Sequence, residues 1–155
     1  MLGGGVMSHE DLERLERWLD EAGTRMLDGD WGLWRDKLSR REDVTVLGAY
    51  GASVTGWEDV RARFEQTAAG YAGGGGHTTH ETIASWMDSD LACIVTVEHN
   101  HTRLDGKPAT FRYRATHVFR REDGDWKLVL RHADPLATFV GPQFAHFTTQ
   151  AKDLG

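Results

Sequence analysis

The chain has 155 residues, a formal net charge of −6 and 39% hydrophobic residues, a composition typical of one globular domain. Lysine and arginine are scattered along it, so we expect no nucleic-acid partner. The single cysteine, Cys93, excludes an internal disulfide and a multi-cysteine metal site. No apolar run is long enough to span a bilayer and no secretory signal is visible, so we expect no membrane partner and a cytoplasmic location.

The first half of the chain carries helix patterns. Apolar residues recur there at three- and four-residue steps, which predicts amphipathic helices. In chain order these helices cover residues 8–27, a short segment around Trp34, and residues 57–69. Between the second and the third, residues 44–47 form a predicted short strand, and the glycine-rich residues 48–56 form a turn or small hairpin.

The second half alternates apolar and polar residues, which is typical of strands. Asp105-Gly106 and Asp123-Gly124 are strong signals for two-residue hairpin turns. The four predicted strands cover residues 78–87, 91–104, 108–121 and 126–134. Helices followed by an antiparallel meander predict an α+β domain whose helices cover the concave face of a bent sheet. We place this single domain at residues 8–140, between a disordered leader, residues 1–7, and a C-terminal tail, residues 141–155.

The last hairpin predicts a candidate site. With Asp123-Gly124 at the centre of the turn, His117 faces Leu130 and Tyr113 faces Asp134. Directly opposed residues share a face of the sheet, and this face is otherwise apolar. Ionisable groups in such a face need partners or a role. The candidate catalytic residues are therefore His117, His132, Asp134 and Tyr113.

The preceding hairpin adds a third strand to the same face. Folding it around Asp105-Gly106 places Glu98 opposite Tyr113 and Ile94 opposite His117. A one-residue bulge in either hairpin would turn the rest of a strand over, so this arrangement depends on two regular hairpins.

The amino-acid sequence of the C-terminal strands resembles that of a known superfamily. The resemblance is carried by residues 116–124 (THVFRREDG), 126–129 (WKLV) and 131–136 (RHADPL), together with residues 44–51 and Gly56-Trp57-Glu58. These segments are similar to the nuclear transport factor 2-like superfamily and, within it, to the SnoaL-like and ketosteroid-isomerase-like group. The resemblance implies a cystatin-like fold, in which a cone-shaped, mostly antiparallel sheet wraps around N-terminal helices.

The catalytic pattern of ketosteroid isomerases carries over poorly. Their aspartate after the first strand would fall at Leu47-Gly48-Ala49, where no carboxylate stands, and their oxyanion-binding acid would fall at or near His117. The non-enzymatic kinase association domains of the superfamily also place a basic residue near His117 and a histidine near His132. Two functions therefore stay open: a cofactor-free enzyme, and a ligand-binding or dimerisation module without chemistry.

For the enzyme we predict proton transfer on an apolar carbonyl or polyketide-like compound, in an isomerisation, cyclisation or dehydration. His132, oriented by Asp134, would act as the base, and His117 with Tyr113 would stabilise the oxyanion. The ligand would be a small apolar or polycyclic molecule, and no cofactor is expected. The residues predicted to bind it are Trp31, Trp34, Tyr50, Glu98 and Phe119.

The other face of the sheet mixes apolar and cationic residues. Its predicted members are Val95, Val97, Val129, Arg112, Arg114 and Arg131. This mixture favours a homodimer through the sheet face, and the alternative is a solvated face with extended arginines. His99 and His101 share that face with Arg112, and a cation beside an arginine is unfavourable, so we expect no metal site.

Overall fold

The computed structural model of the chain describes residues 9–136, in which helices and strands follow the predicted order. The helices are α1 (His9–Met26), α2 (Gly32–Lys37) and α3 (Trp57–Tyr71). The strands are β1 (Thr45–Leu47), β2 (Ser53–Thr55), β3 (His77–Met87), β4 (Leu91–Leu104), β5 (Lys107–Glu122) and β6 (Asp125–Pro135). The predicted leader and tail fall outside the described residues. None of the described helices is long and apolar enough to cross a membrane.

The six described strands form one curved sheet in the order β2-β1-β6-β5-β4-β3. Strands β3 to β6 make the predicted antiparallel meander. Strand β1 lies on the far side of β6 and runs parallel to it, and β2 pairs with β1 in antiparallel orientation. The predicted α+β class with a mostly antiparallel sheet is confirmed. The parallel pair brings the loop after β1 beside the C-terminal part of β6, which is where the site lies.

The helices pack on the concave face of the sheet. Helix α1 buries one stripe because its apolar residues recur every three to four positions. The same helix is tied to β3, where the backbone N–H of Thr78 donates to the Thr24 hydroxyl at 3.0 Å. The main core contains Leu15, Leu19, Ala22, Met26, Trp34, Phe64, Phe119 and Leu128.

Both predicted hairpin turns are present. In Asp105-Gly106 and Asp123-Gly124 all four residues have positive φ, which is the conformation that matches the twist of two antiparallel strands. Strands β4 and β5 pair in the predicted register, so Glu98 lies opposite Tyr113. Glu98 and Tyr113 therefore share the concave face, as the sequence indicates.

Strands β5 and β6 contain a bulge that the sequence analysis does not predict. Phe119 pairs with Leu128 as expected, but the next pair joins Val118 to Leu130. Val129 is the extra residue between them. A bulge of this kind bends the strand and shifts which residues oppose each other.

The bulge reverses the second half of β6. Arg131, predicted on the outer face, pairs with His117 and belongs to the concave face. His132 and Asp134, predicted on the concave face, lie on the outer one. The predicted register of the final hairpin is therefore wrong beyond the bulge, because one extra residue turns every later side chain over.

Candidate functional site

A cavity of about 130 Å³ lies between the helices and the concave face of the sheet. Apolar and aromatic side chains from α1, α2, α3 and β5 form its walls: Met26, Trp34, Phe64 and Phe111. We define its floor as the sheet residues Glu98, Asn100, Tyr113 and Arg131. An engineered cavity of about 150 Å³ holds benzene, so this volume fits a compound with one ring. The polycyclic ligand that the sequence predicts would be larger than this volume and would extend out through the mouth of the cavity.

Arg131 and Glu98 form an ion pair in the floor. Nη1 of Arg131 donates to Oε2 of Glu98, and Nη2 donates to Oε1 at 3.2 Å. Burial acts to raise the pKa of Glu98, but the charge and hydrogen bonds of Arg131, together with the nearby His80, outweigh it and hold this pKa well below its usual range. Burial also opposes the charge of Arg131, yet Glu98 raises the pKa of the guanidinium above its usual value. Both groups are therefore ionised, and their charges cancel.

His117 supports the guanidinium from behind the floor. Its side chain is 0% exposed, and its Nε2 lies 2.7 Å from Nη1 of Arg131. Burial, followed by the charge of Arg131, lowers the pKa of His117 well below its usual value. The neutral ring accepts a hydrogen bond from Arg131 at Nε2, while Nδ1 has no partner among the described residues. His117 thus positions Arg131 and is not part of the cavity wall.

His80 connects the floor to helix α1. Its Nδ1 lies 2.7 Å from Oδ1 of Asp20, an oxygen that also accepts the backbone N–H of His80 at 2.9 Å. Its Nε2 lies 3.6 Å from Oε2 of Glu98, which is longer than a hydrogen bond. Glu98 therefore lies between Arg131, which donates to it, and His80, which is near it without a hydrogen bond.

All three tyrosines of the sequence meet at the cavity. Tyr50 follows β1, Tyr71 ends α3 and Tyr113 lies on β5. The Tyr113 hydroxyl donates to the Tyr50 hydroxyl at 3.2 Å, and the two rings meet edge to face. Burial raises the pKa of Tyr71 and of Tyr113. Both phenols stay protonated. The proton of Tyr113 is donated to Tyr50, so of these two hydroxyls that of Tyr71 can donate to a ligand.

Asn100 supplies an unused donor to the floor. Its Oδ1 accepts the hydroxyl of Thr78 at 2.8 Å, but its buried Nδ2 has no partner among the described residues. Leaving a buried donor unpaired costs about 1–3 kcal/mol. Asn100 lines the cavity, so its amide is a candidate donor to a ligand oxygen.

The family model for the SnoaL-like domain matches residues 12–137, which is most of the chain. The chain belongs to the SnoaL-like domain family. This confirms the family resemblance found in the sequence. No curated protein shows significant similarity to the chain.

Solved structures share the nuclear transport factor 2-like fold of this SnoaL-like chain. A proposed calcium/calmodulin-dependent protein kinase type II association domain from Thiobacillus denitrificans has 23% identity and a TM-score of 0.63, covering 84% of this chain and 96% of its own. A proposed dehydratase of the NTF2-like family from Streptomyces avermitilis has 18% identity and a TM-score of 0.64, with coverages of 83% and 98%. An NTF2-like protein with a cystatin-like fold from Novosphingobium aromaticivorans has 19% identity and a TM-score of 0.62, with coverages of 91% and 90%. At these identities the likeness shows the fold alone.

The structure brings some of the predicted site residues to the cavity of this SnoaL-like domain. Those that line it are Tyr113, Trp34, Tyr50 and Glu98. Trp31 instead packs against Phe64, with ring centroids 6.0 Å apart, and Phe119 is fully buried in the core. Trp31 and Phe119 therefore support the cavity and are not part of its wall.

His132 and Asp134 do not reach the cavity. Their side chains are 47% and 63% exposed on the outer face, where Nε2 of His132 lies 3.1 Å from Oδ2 of Asp134. The predicted convergence of His117 and His132 on one cavity is wrong because the bulge separates them. Within residues 9–136 no group of three or more His, Cys, Asp or Glu side chains is placed to hold a metal ion.

Several residues of the cavity are not predicted from the sequence, among them Asn100, Tyr71 and Arg131. Asn100 lies two residues beyond Glu98 on β4, so the alternation could have placed it on the same face. Tyr71 lies seven residues after Phe64 on α3, on the same side of the helix. Arg131 had a weaker signal, since the three consecutive apolar residues before it interrupt the alternation of β6.

Proposed function

We propose that this SnoaL-like chain binds a small molecule in the cavity, with an oxygen atom of the ligand on the floor and its apolar part against the walls. The observation that carries the proposal is the buried Nδ2 of Asn100, which has no partner in the described part of the chain. Asn100 lines a cavity whose wall also includes the Tyr71 phenol. Neutral donors in an apolar cavity are complementary to a carbonyl or hydroxyl oxygen.

A paired substitution tests this binding mode. Thr78→Val with Asn100→Leu removes the donor and its partner together, so no new buried group is left unpaired. We expect this variant to bind one-ring carbonyl compounds about tenfold more weakly than the parent, as measured by ligand-observed NMR. His132→Ala is the matched control, because that side chain lies on the outer face. Equal affinity in the parent and the paired variant would contradict the proposal.

The second candidate function is proton transfer next to a carbonyl, as in an isomerase, cyclase or dehydratase. It is favoured by the carboxylate of Glu98, which lies in the cavity floor opposite Tyr113 on the neighbouring strand. The low pKa of Glu98 makes it a weak base, so the geometry supports binding better than catalysis. Exchange of the methyl protons of acetophenone for deuterium in D₂O distinguishes the two functions. An enzyme accelerates this exchange and loses the acceleration in Glu98→Gln, whereas a binding module leaves the buffer rate unchanged.

We also propose that the outer face of the sheet forms a homodimer. Its centre is apolar and includes Val95, Val97, Val118 and Leu130, with Trp86 exposed beside it. Arg112 and Arg114 border this centre, and Glu81 and Asp134 on the same face carry the opposite charge. A second copy of the chain could therefore pack its apolar centre on this one and pair its charged residues with those of opposite sign. The cytoplasmic location stays a prediction.

A further inference from the structure

We infer that the cavity selects a neutral ligand over an anionic one of the same shape, and that Glu98 sets this selection. The inference rests on the proposed function, because it names the class of compound that the same cavity takes. That class is a one-ring compound with an uncharged acceptor oxygen, such as an aryl ketone.

The charges of the floor carry the inference. An arginine in a ligand cavity usually signals a carboxylate or phosphate ligand, because the guanidinium fork binds such groups in a bidentate manner. Here that fork is already occupied, since both Nη atoms of Arg131 donate to Glu98. The remaining contact of Nη1 is with His117, which is neutral. The floor therefore offers an internal carboxylate where an anionic ligand would bind.

An anionic ligand on this floor would lie next to Glu98, and the positive charge of Arg131 is already neutralised by that carboxylate. That carboxylate is buried, so water screens little of the repulsion between the two negative charges. A neutral oxygen avoids the repulsion and can still accept from Asn100 or Tyr71. Like charges placed together in a buried site are a strong means of rejecting a wrong partner.

The other cation of the cavity wall lies on a helix and not in the floor. Arg63 belongs to α3, and its Nη1 donates to the exposed side chain of Gln66 at 3.2 Å. A ligand with a negative group at the mouth could therefore meet Arg63. Arg63→Gln separates this contribution from that of the floor.

Acetophenone and benzoate provide a matched pair of probes. Both have one ring, a planar substituent and the same number of non-hydrogen atoms, but only benzoate is charged at pH 8. We expect the parent to bind acetophenone at least about tenfold more tightly than benzoate, as measured by ligand-observed NMR titration. Glu98→Gln frees the guanidinium, so its benzoate affinity should rise at least about tenfold relative to that for acetophenone. Arg63→Gln should keep the preference of the parent.

The outcomes separate this inference from the proposed function. Tighter or equal binding of benzoate by the parent would overturn the inference and leave the proposed function in place. An unchanged ratio in a folded Glu98→Gln variant would overturn the role of Glu98. If neither probe binds the parent, the proposed function fails together with the inference. Circular dichroism establishes that each variant is folded, and the ratio in the parent decides the selection even if Glu98→Gln does not fold.

Discussion

Arg131 and Glu98 are separated by 32 intervening residues, yet they pair through both guanidinium Nη atoms and both carboxylate oxygens in the floor of the cavity. They lie on β6 and β4, and His117 of the intervening strand β5 fixes the guanidinium from behind. The side chain of Arg131 is 14% exposed and that of Glu98 is 6% exposed, so neither is well solvated. Removing one partner therefore leaves an uncompensated charge in the domain.

A double-mutant cycle tests this pair. Arg131→Met alone should lower the free energy of unfolding by about 3–5 kcal/mol, because Glu98 loses its counter-ion. Combining it with Glu98→Leu should recover most of that loss, since replacing a buried pair with apolar residues is often nearly neutral. Urea unfolding at pH 7 measures each value. Additive losses in the double variant would show that the two side chains do not interact.

The buried neutral His117 predicts a dependence of stability on pH. Its folded pKa lies well below the unfolded value of about 6.5, so the unfolded chain binds more protons as the pH falls through that value. The free energy of unfolding should therefore decrease between pH 7 and pH 5, by up to about 1.4 kcal/mol per pH unit from this group. Glu98 has a lowered pKa too, but its contribution is lost only below about pH 4.3.

His117→Gln isolates that contribution, because an amide oxygen can still accept from Arg131. We expect this variant to show a shallower dependence than the parent over the same pH range, measured by urea unfolding at several pH values. The other seven histidines remain in both proteins, so they cancel in the comparison. Identical slopes would mean that His117 titrates alike in the folded and unfolded chain.

Most of the fold follows from local signals in the sequence. The turns at Asp105-Gly106 and Asp123-Gly124 fix the ends of the hairpins, and the helical periodicity fixes α1. The bulge does not follow, because alternation shows only that Leu128, Val129 and Leu130 cannot all point to the core. Its position is decided by pairing with β5 on one side and β1 on the other, and those contacts are not local.

Site residues are predictable from the sequence only where the strand that carries them is regular. Glu98 and Tyr113 come from the regular hairpin, so their positions are predictable from the turn alone. His132 and Asp134 come from the strand with the bulge, so they were assigned to the wrong face. The cavity wall contributed by α3 and by the loop after β1 depends on how helices dock on the sheet, which periodicity does not specify.

Deleting Val129 tests the bulge directly. Leu130 already pairs with Val118 and Arg131 with His117, so removing the extra residue should leave these pairs in place. We expect a folded variant with about 1–3 kcal/mol less stability, because the strand loses a bend to which its neighbours are fitted. A crystal structure of the variant should retain the contact between Arg131 and Glu98. An Arg131 side chain exposed on the outer face would contradict the assignment of Val129 as the extra residue of the bulge.

The proposed dimer predicts the effect of a charge in the centre of the outer face. Val118→Asp should convert a dimer to a monomer, since a carboxylate would be buried in an apolar contact. Multi-angle light scattering at micromolar concentration measures the mass of both proteins. Lys107→Asp, at the exposed start of β5, is the matched control and should leave the dimer intact. A monomeric parent would contradict the proposal.

The central claim is that the cavity floor binds a ligand oxygen, and amide and indole NMR signals test it most directly. Adding acetophenone to ¹⁵N-labelled protein should shift the side-chain amide of Asn100 and the indole N–H of Trp34 in a saturable way, because both residues line the cavity. The Trp34 signal is assigned from its loss in Trp34→Phe. The indole of Trp86, 61% exposed at a distance from the cavity wall, should not move. Saturable shifts at Asn100 and Trp34 alone are the result we predict. Shifts confined to Trp86, or none at all, would contradict the claim.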